Sequence, residues 1–400
     1  MKILIIYFFH FFYSKKKLII EYYMVNIQQI LKNYISSCYK LYNYANIQEI
    51  PKLRENYYKT RTEKNIEIKY PLIKYVIKDK KVYIKVDWIQ NFLTIEELKN
   101  EHDKRIEHIY NMINNTINYA NLQNKPIPDT ELYFWISDRV PWYNNIDKRF
   151  PIFVFAKPVN THFIIFPDNT FDCMTEDVKY STNCLSWDES KNNILKHSTV
   201  LDYDKKTNLM FFKGTPTTKL NSNIRENLSK ISDETDWLSV NLDGWNSYMP
   251  MEKLCEYKIL LNLPGRFPWS NRFKYLFLMN SFVINVDVVS INTEIIEFEP
   301  IWFTFINLLV EPDKHYLNII TKYYYSSNKE EKIKNKQLNY NEFKFLFNKL
   351  NEIYNDSIIN NEKYKKISEN GYEIVSKLNN TDIYEYIYDC IICNSKVSFI

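Results

Sequence analysis

The sequence predicts an α/β protein with two parallel-sheet domains that face each other across a cleft. Its 400 residues are 45% hydrophobic, which is enough material for two ordinary cores. Short apolar segments alternate with amphipathic helical segments in both halves of the chain, as in parallel sheets covered by helices. A polar stretch at 187–206 separates the two series and indicates the boundary between them.

The first domain is predicted over residues 24–200. Residues 94–97 form a capping box, and apolar residues recur at helical spacing from Leu98 to Ile117, which predicts a long helix. Short apolar runs after this helix predict three strands, at 131–136, 152–157 and 162–166.

The second domain is predicted over residues 201–365. Its apolar runs predict strands at 209–213, 237–242, 259–263 and 282–288. Helices are expected between them at 224–229, 252–257 and 270–279. An insertion at 326–355, rich in Lys, Glu and Asn, is expected to hold a helix at 341–354. The last helices, at 364–377 and 383–392, are expected to close this domain, and residues 366–400 to bridge back to the first one.

The N-terminal sequence is compatible with two cellular compartments. Residues 3–13 are an apolar run followed by three lysines, too short for a membrane-spanning helix, which needs about 20 residues. The run can be interpreted in two ways. A signal-like segment implies the ER or Golgi lumen. Alternatively, residues 1–23 are an upstream extension, translation starts at Met24 and the protein is cytoplasmic. Membrane association stays open for the same reason.

Charge and missing motifs exclude several classes of protein. The chain has 52 basic and 48 acidic residues, a net charge of +4, so no nucleic-acid partner is expected. It contains neither G-x-G-x-x-G nor a Walker loop, the central motifs of dinucleotide and P-loop enzymes. The D-x-D spacing at 202–204 lies on the N-terminal side of a strand, the wrong end for catalysis, so no metal ion or other cofactor is predicted. Cys390 and Cys393 lack a second Cys or His pair, which favours an ordinary packed helix over a zinc or redox site.

A basic segment at 257–276 predicts a phosphate site. A strand leads through a loop with Gly265 to a helix that begins near Ser270 and carries Arg272 and Lys274 in its first turn. Loops at the C-terminal ends of parallel strands, and free amides at a helix N-terminus, bind phosphate groups. A diphosphate is therefore the expected ligand. The alternative interpretation, from the residues alone, is that Arg272 and Lys274 are ordinary solvated helix residues.

A second basic segment begins where Lys213 leaves an apolar strand. Gly214 and Thr215 follow in a turn whose amides and hydroxyl can hold oxygen atoms, and Arg225 lies in the next helix. The alternative interpretation of Lys213 is a lysine at the edge of the sheet.

Asp138 lies at the end of the first strand of the N-terminal series. A carboxylate at this position can take the proton from an acceptor hydroxyl, which makes Asp138 a candidate general base. The alternative is an aspartate that caps a loop.

Several landmarks occur in the order of a known family. Asp138 and Arg139 precede a proline, and a P-x-F-x-F-x-K strand at 151–157 is followed by Pro-Asp-Asn-Thr-Phe. Lys-Gly-Thr-Pro at 213–216 precedes an arginine, and 257–276 contains Y-K-x-L-L-N and S-x-R-x-K-Y-L, with Glu-Asn-Gly further on. From about residue 130 to 378 the chain resembles glycosyltransferase family 90, which includes Rumi-like protein O-glucosyltransferases and capsule-associated xylosyltransferases.

This resemblance implies a GT-B fold, in which two Rossmann-like domains face a cleft. It also implies inverting transfer of a glucose- or xylose-type sugar from a UDP-sugar to a hydroxyl of a protein or glycan, with Asp138 as the base. The residues expected to bind the donor are Lys213, Gly214, Thr215, Arg225, Gly265, Ser270, Arg272 and Lys274. Those expected on the acceptor side or in the cleft are Lys157, His162 and Asp168. GT-B enzymes generally use Arg, Lys and helix dipoles in place of a metal ion, and we expect a monomer.

Within the predicted site, the chain departs from the family pattern at two places. Lys213 stands where many members carry Arg, which removes a bidentate phosphate contact. The Asp138-Arg139 pair is either reversed in order or shifted by one residue relative to the Rumi-like members. A catalytically inactive protein that binds a nucleotide sugar or a glycan is therefore the alternative function.

Overall fold

The computed structural model describes residues 27–39, 72–85, 102–136, 151–158, 161, 163–173, 184–216, 223–242, 249–265, 269–294, 297–299 and 301–396. Within them the chain is a mixed α/β protein with one large sheet in each half. None of the described helices combines the length and the apolar character needed to cross a membrane. The apolar run at 3–13 and the capping box at 94–97 lie outside the described residues.

The first half contributes a five-stranded sheet. Its helices are α1 (27–39), α2 (His102–Leu122) and α3 (Trp187–Ser198). The strands of this half are β1 (Leu72–Lys78), β2 (Lys81–Lys85), β3 (Thr130–Trp135), β4 (Phe153–Val154), β5 (Ala156–Pro158) and β6 (Ile164–Ile165), of which β5 lies outside the five-stranded sheet. The sheet order is β2-β1-β3-β4-β6. Strands β3, β4 and β6 are parallel, whereas β1 pairs antiparallel with both β2 and β3.

The second half contributes a six-stranded, mostly parallel sheet. Its strands are β7 (Thr207–Lys213), β8 (Leu238–Asn241), β9 (Tyr257–Asn262), β10 (Phe282–Asn292), β11 (Glu297–Glu299) and β13 (Leu317–Tyr325), while β12 (Trp302–Thr304) lies outside this sheet. Its helices are α4 (Ile224–Ser232), α5 (Phe273–Leu276), α6 (Lys329–Ile359), α7 (Asn361–Lys377) and α8 (Asn380–Ser395). The order is β11-β10-β9-β7-β8, with β13 also on β10; only β11 pairs antiparallel.

The predicted strands are confirmed with one important difference. The strand expected at 152–157 is interrupted at Phe155, so that β4 stays beside β3 while β5 pairs antiparallel with β12 of the second half. This small two-stranded ladder places a strand from each half side by side. The β1-β2 hairpin was not among the predicted elements, although both of its strands contain short runs of apolar residues.

Three helix predictions were wrong in type or length. Residues Met251–Glu256 form a 3₁₀ helix instead of an α-helix. The helix expected at 270–279 is the single turn α5 followed by the 3₁₀ turn Phe277–Met279. Helix α6 has 31 residues and extends the helix expected at 341–354 at both ends.

The polar stretch at 187–206 contains helix α3, which was not predicted. Ser186 caps it in a reciprocal capping box: its hydroxyl accepts from the Glu189 amide, and the Glu189 side chain accepts from the Ser186 amide. The helix buries Trp187 and Ile194 against the core. These few apolar residues among many polar ones did not produce a recognisable helical period.

One hydrophobic core runs through both halves of the chain. It joins Phe134 and Phe153 of the first sheet to Tyr386 of α8 and to Phe211 and Leu260 of the second sheet. Alternate residues of the same second-sheet strands point into another core, which α6 covers. The second sheet is therefore buried on both faces, which explains its nearly continuous apolar strands.

Helix α8 lies against α2 and β3 of the first half. The Asn394 amide donates to the Thr130 hydroxyl at 3.0 Å and to the Glu131 carbonyl at 2.6 Å. The Tyr386 hydroxyl donates to the Ile165 carbonyl at the edge strand. The last described helix thus packs on the sheet of the first half.

The cysteines occupy ordinary structural positions. Cys173 and Cys184 form a disulfide, a pair that was not predicted. Cys390 and Cys393 are free thiols on the predicted C-terminal helix, and Cys390 is buried. Among the described residues there is no group of three His, Cys, Asp or Glu side chains that could hold a metal ion.

Gly371 on α7 has no room for a side chain. A Cβ atom there would lie 2.7 Å from the His315 carbonyl oxygen and 2.8 Å from Cδ1 of Phe277. Substitution Gly371→Ala should therefore destabilise the protein by about 1–3 kcal/mol, because the overpacking cost exceeds the gain in helix propensity of about 1 kcal/mol. Urea unfolding measures the change. Lys366→Ala on the exposed face of α7 is the control, and an unchanged midpoint for Gly371→Ala would contradict the described close contact.

Candidate functional site

The carboxyl ends of β7 and β9 lie side by side and lead into two loops. Lys213 ends β7 and is followed by Gly214 and Thr215, while Leu263 and Gly265 follow β9. Loops at this end of a parallel sheet form the ligand-binding edge of α/β proteins. The fold therefore places both predicted basic segments at one edge.

Two arginines hold these loops together. One Arg225 nitrogen donates to the Thr215 carbonyl and another to the Leu263 carbonyl, each at 2.9 Å. Arg272 donates to the Lys213 carbonyl, and its own amide donates to the Ser270 hydroxyl at 3.3 Å. The guanidinium groups thus connect the loop after β7 with the loop and short helix after β9.

The ring of Phe212 lies under both guanidinium groups. Their central carbons are 4.9 Å (Arg225) and 5.7 Å (Arg272) from the ring centroid, within the range of cation–π contacts. A Cβ atom at Gly214 would lie 2.7 Å from this ring. Glycine at 214 therefore lets the chain pass over the aromatic ring that supports the two cations.

Among the described residues, the charge of Glu226 acts on Arg225 and raises its pKa, against the larger effect of burial. No carboxylate of the described residues forms a salt bridge with Arg225 or Arg272. Burial, followed by repulsion from Arg272, lowers the pKa of Arg225 to about 10, and burial lowers the pKa of Arg272. At neutral pH, Arg225 remains charged, and Arg272 does so as well because an arginine side chain keeps its proton in proteins. The arrangement can attract and bind an anion.

Lys274 and Asp168 form a second, buried contact. The Lys274 ammonium lies 2.7 and 2.9 Å from the two Asp168 oxygens, 2.6 Å from the Thr170 hydroxyl and 3.2 Å from the Asn271 carbonyl. It also lies 4.5 Å from the centroid of the Phe171 ring. Burial lowers the pKa of Lys274, and the Asp168 charge opposes that shift. The pair joins α5 to the turn after β6, across the two halves of the chain.

The remaining predicted residues lie elsewhere or are not described. Lys157 on β5 is buried; it donates to the Thr161 carbonyl at 2.9 Å and lies 5.7 Å from the Tyr34 ring centroid. Asp138 and His162 lie outside the described residues. Lys213, Gly214, Thr215, Arg225, Ser270 and Arg272 are thus brought together at the sheet edge, whereas Asp168 and Lys274 bind each other.

Comparison with known proteins identifies the family. The profile described as glycosyl transferase family 90 matches residues 73–342, from β1 into α6. The chain belongs to glycosyl transferase family 90. A stretch of 175 residues is 27% identical to protein O-glucosyltransferase 1 of Rattus norvegicus and covers 40% of this chain. It spans less than half, 44%, of the rat protein.

A pocket that was not predicted lies beside Ser270. Asn262, Asn285, Asp287 and Trp302 are among the residues that line it. Burial raises the pKa of Asp287 to about 6. Two amides and a carboxylate that interrupt the apolar strands β9 and β10 were the available signal in the sequence.

Removing the Lys274 ammonium should destabilise the fold strongly. Lys274→Met leaves the Asp168 charge buried without its partner, which typically costs about 3–5 kcal/mol. Asp168→Asn combined with Lys274→Met should lose less than the sum of the two single substitutions, because the residues interact directly. Urea unfolding of the four proteins measures this coupling.

Lys253→Met provides the control for the Lys274 experiment. Its ion pair with Glu256 is exposed, so its loss should cost less than about 1 kcal/mol. Equal effects of Lys253→Met and Lys274→Met would show that the buried pair contributes nothing particular to stability.

Proposed function

We propose that the protein transfers a glucose- or xylose-type sugar from a UDP-sugar to a hydroxyl of a protein or glycan acceptor. The observation that carries this proposal is the pair of guanidinium groups at the carboxyl edge of the second sheet, which bind backbone carbonyls and form no salt bridge with a carboxylate of the described residues. A nucleotide sugar leaves as a diphosphate, so charge develops on its oxygens during transfer. Arg225 and Arg272 would stabilise that charge without a metal ion.

Two features support a GT-B arrangement with Rossmann-like domains at 24–200 and 201–365. Each half has its own sheet, and each sheet contains parallel strands. The segment from 366 onward includes α8, which packs on α2 and β3 of the first half, as a bridging segment would. The ligand would then lie between the carboxyl edge of the second sheet and the first half.

The acceptor is proposed by analogy with the rat relative, whose name states that it glucosylates proteins. Inverting transfer needs one carboxylate on the acceptor side and cations on the leaving group. Asp138 follows β3 of the first half by three residues, and the arginine cluster belongs to the second half. This division of charge supports Asp138 as the base.

Arg272→Ala tests the donor site. Loss of one charge-assisted hydrogen bond of about 1.5–3 kcal/mol should weaken UDP-glucose or UDP-xylose binding roughly 10- to 100-fold, as measured by calorimetry. Arg105→Ala is the matched control, because Arg105 also donates to a backbone carbonyl but lies on α2. Unchanged binding by Arg272→Ala, with a normal melting temperature, would place the diphosphate elsewhere.

Asp138→Asn tests the base separately from donor binding. It keeps the shape of the side chain but cannot accept the proton, so transfer should fall about 10²–10⁴-fold while UDP-sugar affinity persists. Asp129→Asn, on the loop before β3, should transfer normally. Near-normal transfer by Asp138→Asn would refute this role. Donor binding without transfer by the unmodified protein would favour the inactive alternative.

A further inference from the structure

We infer that the groove between α4, β13 and α6 is a binding site for a neutral saccharide, separate from the donor site. Its volume is about 310 Å³, within the roughly 300–1000 Å³ usual for small-molecule sites. This inference goes beyond the proposed function, because it requires neither a nucleotide nor a transfer step. The lining residues that carry the argument are Asn223, Asn227, Tyr323, Lys336, Tyr340 and Phe343.

Helix α4 separates this groove from the arginine cluster. Asn223 and Asn227, one helical turn apart at the start of α4, line the groove. Arg225 lies two residues from each of them, and residues two apart on a helix do not share a face. Its guanidinium group instead binds the Thr215 and Leu263 carbonyls. The groove is therefore not an extension of the diphosphate site, although both sites use the same helix.

Two amide groups line the α4 side of the groove. The Asn223 side chain forms no capping hydrogen bond at the start of α4, and Asn227 lies half-buried one turn later. Each amide group can both donate and accept hydrogen bonds, as each hydroxyl of a sugar can. The two amides therefore complement the rim of a pyranose ring, where its hydroxyls lie.

Aromatic rings line the opposite side of the groove. Tyr323 stacks on Tyr325 with ring centroids 6.4 Å apart and planes inclined by 15°, which holds the Tyr323 ring in place. Tyr340 is 60% exposed, and Phe343 follows it on α6. The face of an aromatic ring is electron-rich and attracts the C–H groups that cover the faces of a pyranose. A bound sugar would thus cover aromatic surface that α6 otherwise exposes to water.

The groove suits an extended peptide less well, because backbone groups of β13 beside α6 are already used. The Asn339 side chain accepts from the Tyr324 amide at 2.8 Å and donates to the Tyr324 carbonyl at 2.9 Å. The Glu342 carboxylate accepts from the Lys322 amide at 3.2 Å. These groups cannot pair with an added peptide strand. The cations among the described lining residues are two exposed lysines, Lys322 and Lys336, whose attraction for a phosphate is weak in water.

The test measures the binding of cellobiose and xylobiose by ligand-observed NMR titration in the presence of UDP. Sorbitol is the comparison probe, since it carries hydroxyls but no pyranose ring. Both disaccharides should bind, and sorbitol should not. Tyr340→Ala should weaken disaccharide binding roughly 3- to 10-fold, because it removes an aromatic contact. Asn227→Ala should weaken it roughly 2- to 10-fold, because it removes a neutral hydrogen bond. The affinity for UDP, measured by calorimetry, should stay unchanged in both variants.

Phe345→Ala is the control, because Phe345 is another aromatic residue of α6, 52% exposed, that does not line the groove. It should bind the disaccharides as the unmodified protein does. Absence of disaccharide binding, equal binding of sorbitol, or losses in Tyr340→Ala and Asn227→Ala no larger than in Phe345→Ala overturn the inference. Failure of the unmodified protein to bind UDP and the UDP-sugars would instead refute the proposed function, and the disaccharide result would stand by itself.

Discussion

The buried ion pair between Lys274 and Asp168 determines how the rest of the site is arranged. An ammonium and a carboxylate lose much hydration on burial, and a pair of this kind is stable only if its remaining hydrogen bonds are made. Thr170, Asn271 and the Phe171 ring complete the surroundings of the ammonium. Because Arg272 lies on the same short turn, anchoring Lys274 to the first half also fixes the approach of Arg272 to the loop after β7.

The two halves are joined by more than this pair. The ladder of β5 and β12, the return of α8 and the shared core all cross from one half to the other. The pocket beside Ser270 lies where these connections meet, because Trp302 belongs to β12 and Asp287 to β10. The shape of the pocket therefore depends on how the two halves pack against each other. The arginine cluster, in contrast, is formed by residues of the second half alone.

Periodicity and motif position predicted the alternating elements and the basic residues at strand ends. These signals are local: an apolar run followed by a glycine and a cation is visible within 20 residues. The partner of Lys274 cannot be found in this way, because Asp168 lies 106 residues away in the sequence. The local sequence around a lysine in a helical turn also does not show whether its side chain is solvated or buried. Helix α3 was missed because its sequence is mostly polar, and Asp287 because one carboxylate in a strand has no periodic signature.

The return of α8 to the first sheet has a consequence for synthesis on the ribosome. Asn394 and its partner Thr130 are 264 residues apart, so at about 5–20 residues per second α8 is made roughly 15–50 s after β3. During that interval the nascent first sheet lacks the helix that covers it, and its apolar face is open to chaperones and to other chains. The yield of folded protein should therefore depend on translation speed and chaperone supply. This dependence should be stronger than for a protein whose N-terminal half folds without a later segment of the chain.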